Sequence, residues 1–319
     1  MGIHQVALVG KFFLAVAGSV LIFSVSVRIP PAGLVLLPFV TFPVLTFGFR
    51  SGRGAGLSVL VAAMALLGVI AGLDLSLIYA PFAVMGGLLF ALLGRVQAIE
   101  ILVAGIAAAM LAVTGGVMLY FFGSWVSMMD QFRESVTQQL TSAMRVHEKM
   151  GLSQESLELL KERAPQIAGA MIELLPALLF ISLGFAVLIN ILFLCRRFPE
   201  RRSGWLSVDL FREWKGPDSL VWGLIACGFV LLVPGLELAR ILAVNLLLII
   251  GASYFAQGLA VIAFFYHKNN VPRFLRAITY VLILFQQIFT LLVVGLGLFD
   301  LWGDFRRLKK NNLTPSRAN

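Results

Sequence analysis

The sequence predicts an all-α fold, a polytopic bundle of transmembrane helices, and three observations carry that prediction. Of 319 residues, 60% are hydrophobic and 13% charged, whereas a soluble domain carries about 25% charged residues. Apolar runs near the roughly 20 residues that a helix needs to cross a ~30 Å hydrocarbon core recur from end to end. The cations behind the net charge of +9 sit in short clusters between those runs, as Lys and Arg do beside membrane spans. They form no continuous basic surface with base-stacking aromatics, so no nucleic acid partner is expected. The lipid bilayer is the expected partner.

The first run, residues 5–27, has the lysine, apolar core and small residues of a signal peptide. Further spans follow at once, so it is expected to persist as the first helix. Runs at 33–49, 54–73, 75–94 and 98–122 come next, joined by turn chemistry such as "RIPPAG" and "RSGRGAG". Lipid leaves bare backbone groups unsatisfied, so each spanning run should be helical. Residues 1–123 therefore form a first group of membrane helices.

Residues 124–168 are polar and mixed in charge. Within them Trp125, Met129, Phe132, Val136 and Leu140 recur at three- and four-residue steps, one apolar stripe on a helix. "GLSQESLELLKERAP" follows, with Ser153 in N-cap position and Pro165 read as a stop. Two amphipathic helices are expected in this insert.

A second membrane group covers 169–305, with apolar runs at 169–194, 219–236, 238–265 and 275–300, ahead of a polar tail at 306–319. A basic loop at 196–217 interrupts it, carrying Arg196, Arg197, Arg201, Arg202, Arg212 and Lys215. Trp205, Val208, Phe211 and Trp214 recur there every three residues, which predicts an interfacial helix with a basic collar.

Eight or nine spans result, according to whether 219–236 crosses. With the N-terminus inside, nine spans put 13 Lys/Arg inside and 12 outside. If 219–236 enters and leaves on one side, the count becomes 16 against 9, which fits the positive-inside rule. Hydropathy favours nine spans and charge favours eight.

Catalytic and metal motifs are sparse. His4, His147 and His267 lie on distant segments without ligand spacing, and Cys195 and Cys227 sit in or beside apolar runs. The chain contains no GxxxxGK[ST] phosphate loop and no GxSxG elbow. Neither enzymatic activity nor a cofactor is expected. What remains is polar groups inside apolar runs: Asn190 and Glu173 in one, Asn245, Ser253, Tyr254 and Gln257 in another, Gln286, Gln287 and Thr290 in the last. Buried amides and hydroxyls face a bundle interior, so these groups either pack helices through hydrogen bonds or form a polar site for a small solute.

The last run closes on "GLGLFDLWGDFRRLKK", whose charge cluster is Asp300, Asp304, Arg306 and Arg307. Phe299, Trp302 and Phe305 recur as interfacial aromatics do. On a continuing helix Asp304 and Arg307 are three apart, and Asp300 and Arg307 share a face two turns apart. The cluster therefore reads as a helix leaving the membrane rather than as paired catalytic carboxylates.

Those residues, with "YFAQGLAVIAFF", "LPALLFISLGFAVLIN" and "FREWKGPDSLVW", make the chain resemble the YybS-like family of bacterial multi-pass membrane proteins, whose activity is unknown. The resemblance implies location in the bacterial inner membrane. Residues 28–95, with a Pro-Gly helix entry, an "FGFRSGRGAGL" turn and a Gly-rich hairpin, are similar to the N-terminal half of S-components of energy-coupling-factor transporters. That similarity implies solute binding and an energising partner, for which Ala15 and Ser19 would supply the small-residue face on the first helix.

The leading functional expectation is a small-solute transporter or membrane solute-binding subunit without its own ATPase, with a protein partner meeting the 196–217 loop. The alternative is a membrane scaffold or regulator that binds partners or anionic lipid through its amphipathic segments.

Overall fold

The computed structural model describes residues 3–96, 98–149, 154–198 and 208–306. The described residues are helical throughout, with no strand, and they belong to two compact units, Met1–Leu194 and Cys195–Asn319. Seven helices are long and apolar enough to cross a membrane, or eight if one bent pair counts as a single span.

The first unit begins with α1 (Ile3–Arg28), followed by a broken span: α2 (Pro30–Leu36), a 3-10 turn (Leu37–Phe39) and α3 (Phe42–Ser51). The break has a cause in the sequence. Pro38 and Pro43 lack the N–H that a helix would direct back four residues, so the ladder fails between them. Side chains supply donors to two carbonyls at the break. Ser19 donates its hydroxyl hydrogen bond to the Val40 carbonyl at 2.7 Å, and the Asn190 amide reaches the Pro38 carbonyl at 2.6 Å. In an apolar surround an unpaired carbonyl costs several kcal/mol, on the order of a hydrogen bond in hydrocarbon, which accounts for polar residues at these two positions.

Helices α4 (Arg53–Ala71), α5 (Leu73–Leu92) and α6 (Ile99–Phe122) complete the expected N-terminal runs, and α4 packs on α5 as α5 packs on α6. The "GFRSGRGAG" turn joins α3 to α4. Gly52 takes φ +108°, a region that side chains with a Cβ avoid. A Cβ on Gly48 or on Gly56 would run into the Phe90 ring, so these two glycines admit Phe90 between the helices.

The insert differs from expectation in one respect. Helix α7 (Trp125–Lys149) is amphipathic: Met128 is buried and Met129, Phe132 and Val136 of the stripe are half-buried, while Trp125 at its start is exposed. Phe132 lies 6.3 Å, ring to ring, from Phe122 of α6. The second amphipathic segment is not a separate helix, because α8 runs unbroken from Gln154 to Arg197 with Pro165 and Pro176 inside it. Proline removes one backbone bond, whereas stopping and restarting a helix leaves up to four orphan groups at each end. The helix therefore continues. Ser153 and the Trp205 turn lie outside the described residues.

The second unit holds α9 (Val208–Glu213), α10 (Leu220–Leu232), α11 (Glu237–Lys268), α12 (Arg273–Phe285) and α13 (Gln287–Gly303). The apolar run at 219–236 yields a helix of 13 residues, about 20 Å at 1.5 Å per residue, too short for a ~30 Å core. Its hydropathy is that of a span and its length is not. Helices α12 and α13 bend by 105° where they meet. With that pair as one span the chain crosses eight times, which puts both termini on one side. A reporter fused after Asn319 is expected to be active in the cytoplasm, on the same side as one fused at Gly216; activity on the opposite faces of the membrane would restore the ninth crossing.

Candidate functional site

The second unit is organised by a close crossing of α11 and α13, which run antiparallel. A Cβ on Gly297 would coincide with the Tyr254 carbonyl oxygen, and a Cβ on Gly258 would strike the Val293 carbonyl. The two backbones touch there because glycine occupies both positions. Tyr254 and Ile250 pack with Leu301 in the unit's apolar core, beside Leu220, Leu224 and Leu298.

Beside that contact, the crossing delivers polar side chains to one point. Gln257 is on the α11 face shared by Tyr254 and Gly258, and Asp300 follows Gly297 by one turn on α13. The Gln257 side-chain amide donates to Asp300 Oδ2 at 3.2 Å, and its carbonyl oxygen accepts from the Gly216 backbone N–H at 3.1 Å. Arg306 closes the cluster. Its Nη2 donates to the same Asp300 Oδ2 at 2.6 Å, and its Nη1 donates to the carbonyls of Arg212 and Trp214 at 2.7 and 2.9 Å. Lys215 adds a bond from Nζ to the Leu301 carbonyl at 3.2 Å and lies 3.8 Å from Asp218. Asp300 is 2% exposed and Arg306 3%.

The turn after α13 makes the Asp300–Arg306 pair possible. The helix stops at Gly303, and Asp304 takes a left-handed conformation with φ +36° and ψ 51°, which Asp and Asn tolerate better than most residues. The chain thereby turns back on the helix end and brings Arg306 onto Asp300. The pairing expected of Arg307 needs a helix continuing to that residue, and the helix ends four residues earlier; Arg307 itself lies outside the described residues. The "exit" cluster is thus a buried charge pair at Asp300, although the aromatics beside it, Phe299, Trp302 and Phe305, are exposed as an interface requires.

Hydrogen-bonding capacity is left over. Asp300 Oδ1, Arg306 Nε and the hydroxyl of Tyr254, all buried, have no hydrogen-bond partner among the described residues. Buried polar atoms are nearly always paired; Thr46 Oγ1 and Asn190 Oδ1 in the first unit are unpaired too, and what distinguishes this place is that two of its orphans belong to one buried ion pair.

The other polar residues singled out by sequence do not join it. Asn245 and Ser253 donate to the carbonyls of Ile241 and Ile249, four residues back on their own helix. Gln286 and Gln287 are exposed at the break between α12 and α13, and the Thr290 hydroxyl donates across that break to the Ile283 carbonyl at 2.8 Å. Asn190 belongs to the first unit, where it caps the broken second span. In the basic loop, Lys215 turns inward and Arg212 contributes its carbonyl, while Arg196 and Arg197 are exposed; Arg201 and Arg202 lie outside the described residues. Sequence reasoning missed Arg306 as the partner of Asp300, and it missed the backbone of 212–216. Among the described residues no group of three or more His, Cys, Asp or Glu side chains is placed to hold a metal.

The first unit corrects one implication of the S-component similarity. Ala15 and Ser19 are buried, and Ser19 is bonded to Val40 and, at 2.8 Å, to the Tyr79 hydroxyl. They face their own bundle and offer no surface to a coupling subunit.

Comparison with curated proteins and with solved structures returns no match. A family model described as "predicted membrane protein (DUF2232)" matches residues 17–301. The stretches "FREWKGPDSLVW", "YFAQGLAVIAFF" and "GLGLFDLWGDFRR", distant in sequence, supply the three sides of the buried cluster, and the match runs through most of them. The chain is a multi-pass integral membrane protein, and it belongs to the DUF2232 family of predicted membrane proteins, with which the YybS-like resemblance agrees.

Proposed function

We propose that this chain is a solute-binding subunit of a membrane transport system in the bacterial inner membrane, with no catalytic step and no ATPase of its own. The observation that supports this reading is the buried cluster of Gln257, Asp300 and Arg306. Burying a charge pair in an apolar bundle costs several kcal/mol per ion unless geometry and further hydrogen bonds offset it. Helix packing alone needs only amides and hydroxyls, yet this cluster is charged and keeps unused hydrogen-bonding atoms. Broken helices near a binding site are a recurrent feature of transporters, and each unit here contains one broken span. An energising partner would meet the exposed Arg196 and Arg197 rather than the buried face of the first helix.

Native mass spectrometry of the protein purified from membranes is expected to reveal a co-purified small molecule. The same molecule should raise the melting temperature of the wild type and of Gln286→Leu, but not of Gln257→Leu. Absence of any bound solute, together with no thermal shift across a metabolite panel, would count against the proposal. One feature favours the scaffold reading instead: α7 carries exposed Trp125 and Val126 on an otherwise polar helix, which suits a protein partner or a lipid surface.

A further inference from the structure

The Asp300–Arg306 contact is half of a two-bond pair. One edge of a guanidinium presents Nε–H and an Nη2–H in parallel, and a carboxylate can take both with its two oxygens. Here Asp300 Oδ2 takes Nη2 at 2.6 Å, and the Gln257 amide donates to that same oxygen. Oδ1 and Nε, the members of the second bond, are buried without partners. One atom needs a donor and the other needs an acceptor.

We infer that the unmade half of this pair is where the solute of the proposed function binds, and that it meets an uncharged group presenting a donor and an acceptor side by side, as a carboxamide or ureido group does. The inference rests on the solute-binding reading and adds the chemical class. Such a group gives its N–H to Asp300 Oδ1 and accepts from Arg306 Nε–H with its carbonyl. Charge excludes the alternatives. An anion at this edge meets the Asp300 carboxylate, and a cation meets the Arg306 guanidinium, in a low-dielectric surround where like charges repel strongly.

Three nearly isosteric probes test this on the full-length protein in detergent: acetamide, acetate and acetamidinium, at constant ionic strength. Saturation-transfer NMR of the probe methyl group and tryptophan fluorescence are the readouts, and the wild type alone suffices. Acetamide is expected to bind saturably in the millimolar range, with acetate and acetamidinium at least tenfold weaker. Arg306→Lys, which keeps the charge and loses the parallel donors, is expected to abolish that preference. Equal or stronger binding of either ion overturns the uncharged class, as does a charged solute co-purifying with the protein, and both leave the proposed function standing. Binding of none of the three overturns the inference. Acetamide preference retained in Arg306→Lys overturns the location. An empty native preparation strikes the proposed function itself.

Discussion

Arg306→Gln lowers the melting temperature of the purified protein sharply, by the loss of about 3–5 kcal/mol that follows when one member of a buried ion pair is removed and the other is stranded. The substitution leaves Asp300 charged, 2% exposed and reduced to the Gln257 amide as its hydrogen-bond donor. It also strips the donor from the carbonyls of Arg212 and Trp214, which loosens the 212–214 segment from the turn after α13. Asp300→Leu strands the arginine in the same way and is expected to cost a similar amount. The double substitution Asp300→Leu with Arg306→Met removes both charges, so it should be markedly more stable than either single variant. Thermal unfolding followed by tryptophan fluorescence checks this; a double variant no better than the sum of the singles would mean that the two groups are not coupled.

The second large effect is at the helix crossing. Gly297→Val forces a side chain into the space now held by the Tyr254 carbonyl oxygen, and backbone cannot yield as a flexible side chain can. The helices must separate, at a cost of about 3 kcal/mol, the upper part of the overpacking range, and Gln257 is carried away from Asp300. Gly295→Ala is the control two residues earlier on the same helix. A Cβ at Gly295 meets open space, so alanine there is expected to be neutral or to stabilise by up to ~1 kcal/mol through helix propensity. Equal losses at the two positions would place the contact elsewhere.

Much of the fold was legible because hydrophobic length and turn chemistry are local properties. The runs at 5–27, 54–73, 75–94, 98–122 and 238–265 each became one helix of nearly the expected extent, whereas 33–49 broke in two and 169–194 joined the longer α8. Failures came where one local rule had a non-local competitor. Pro165 reads as a stop until the cost of four orphan groups at a new helix end is set against one lost bond. Residues 219–236 have the composition of a span, but Pro234 and a positive φ at Gly235 follow a helix of 13 residues. At the candidate site, Gln257 and Tyr254 were visible as polar groups in an apolar run, and Asp300 was visible as a charge at its end. Their meeting was not visible. It depends on Gly258 and Gly297 admitting two backbones to contact and on Asp304 turning the chain, and both are properties of pairs of segments rather than of either one.

The broken second span has a mechanical consequence. Around the break, the Val40 N–H bonds back to the Leu37 carbonyl and the Leu45 N–H back to the Thr41 carbonyl, so each bond stays on its own side of residues 40–41. No helical ladder joins the two halves there, and the side chains borrowed from α1 and α8 hold the carbonyls of Val40 and Pro38 at the end of the first half. Moving the first half against α1 and α8 strains the Ser19 and Asn190 bonds, each a modest net term of about 1 kcal/mol, while both stretches of helix stay whole. The span is a pair of short rods, and Ser19 and Asn190 anchor the first of them.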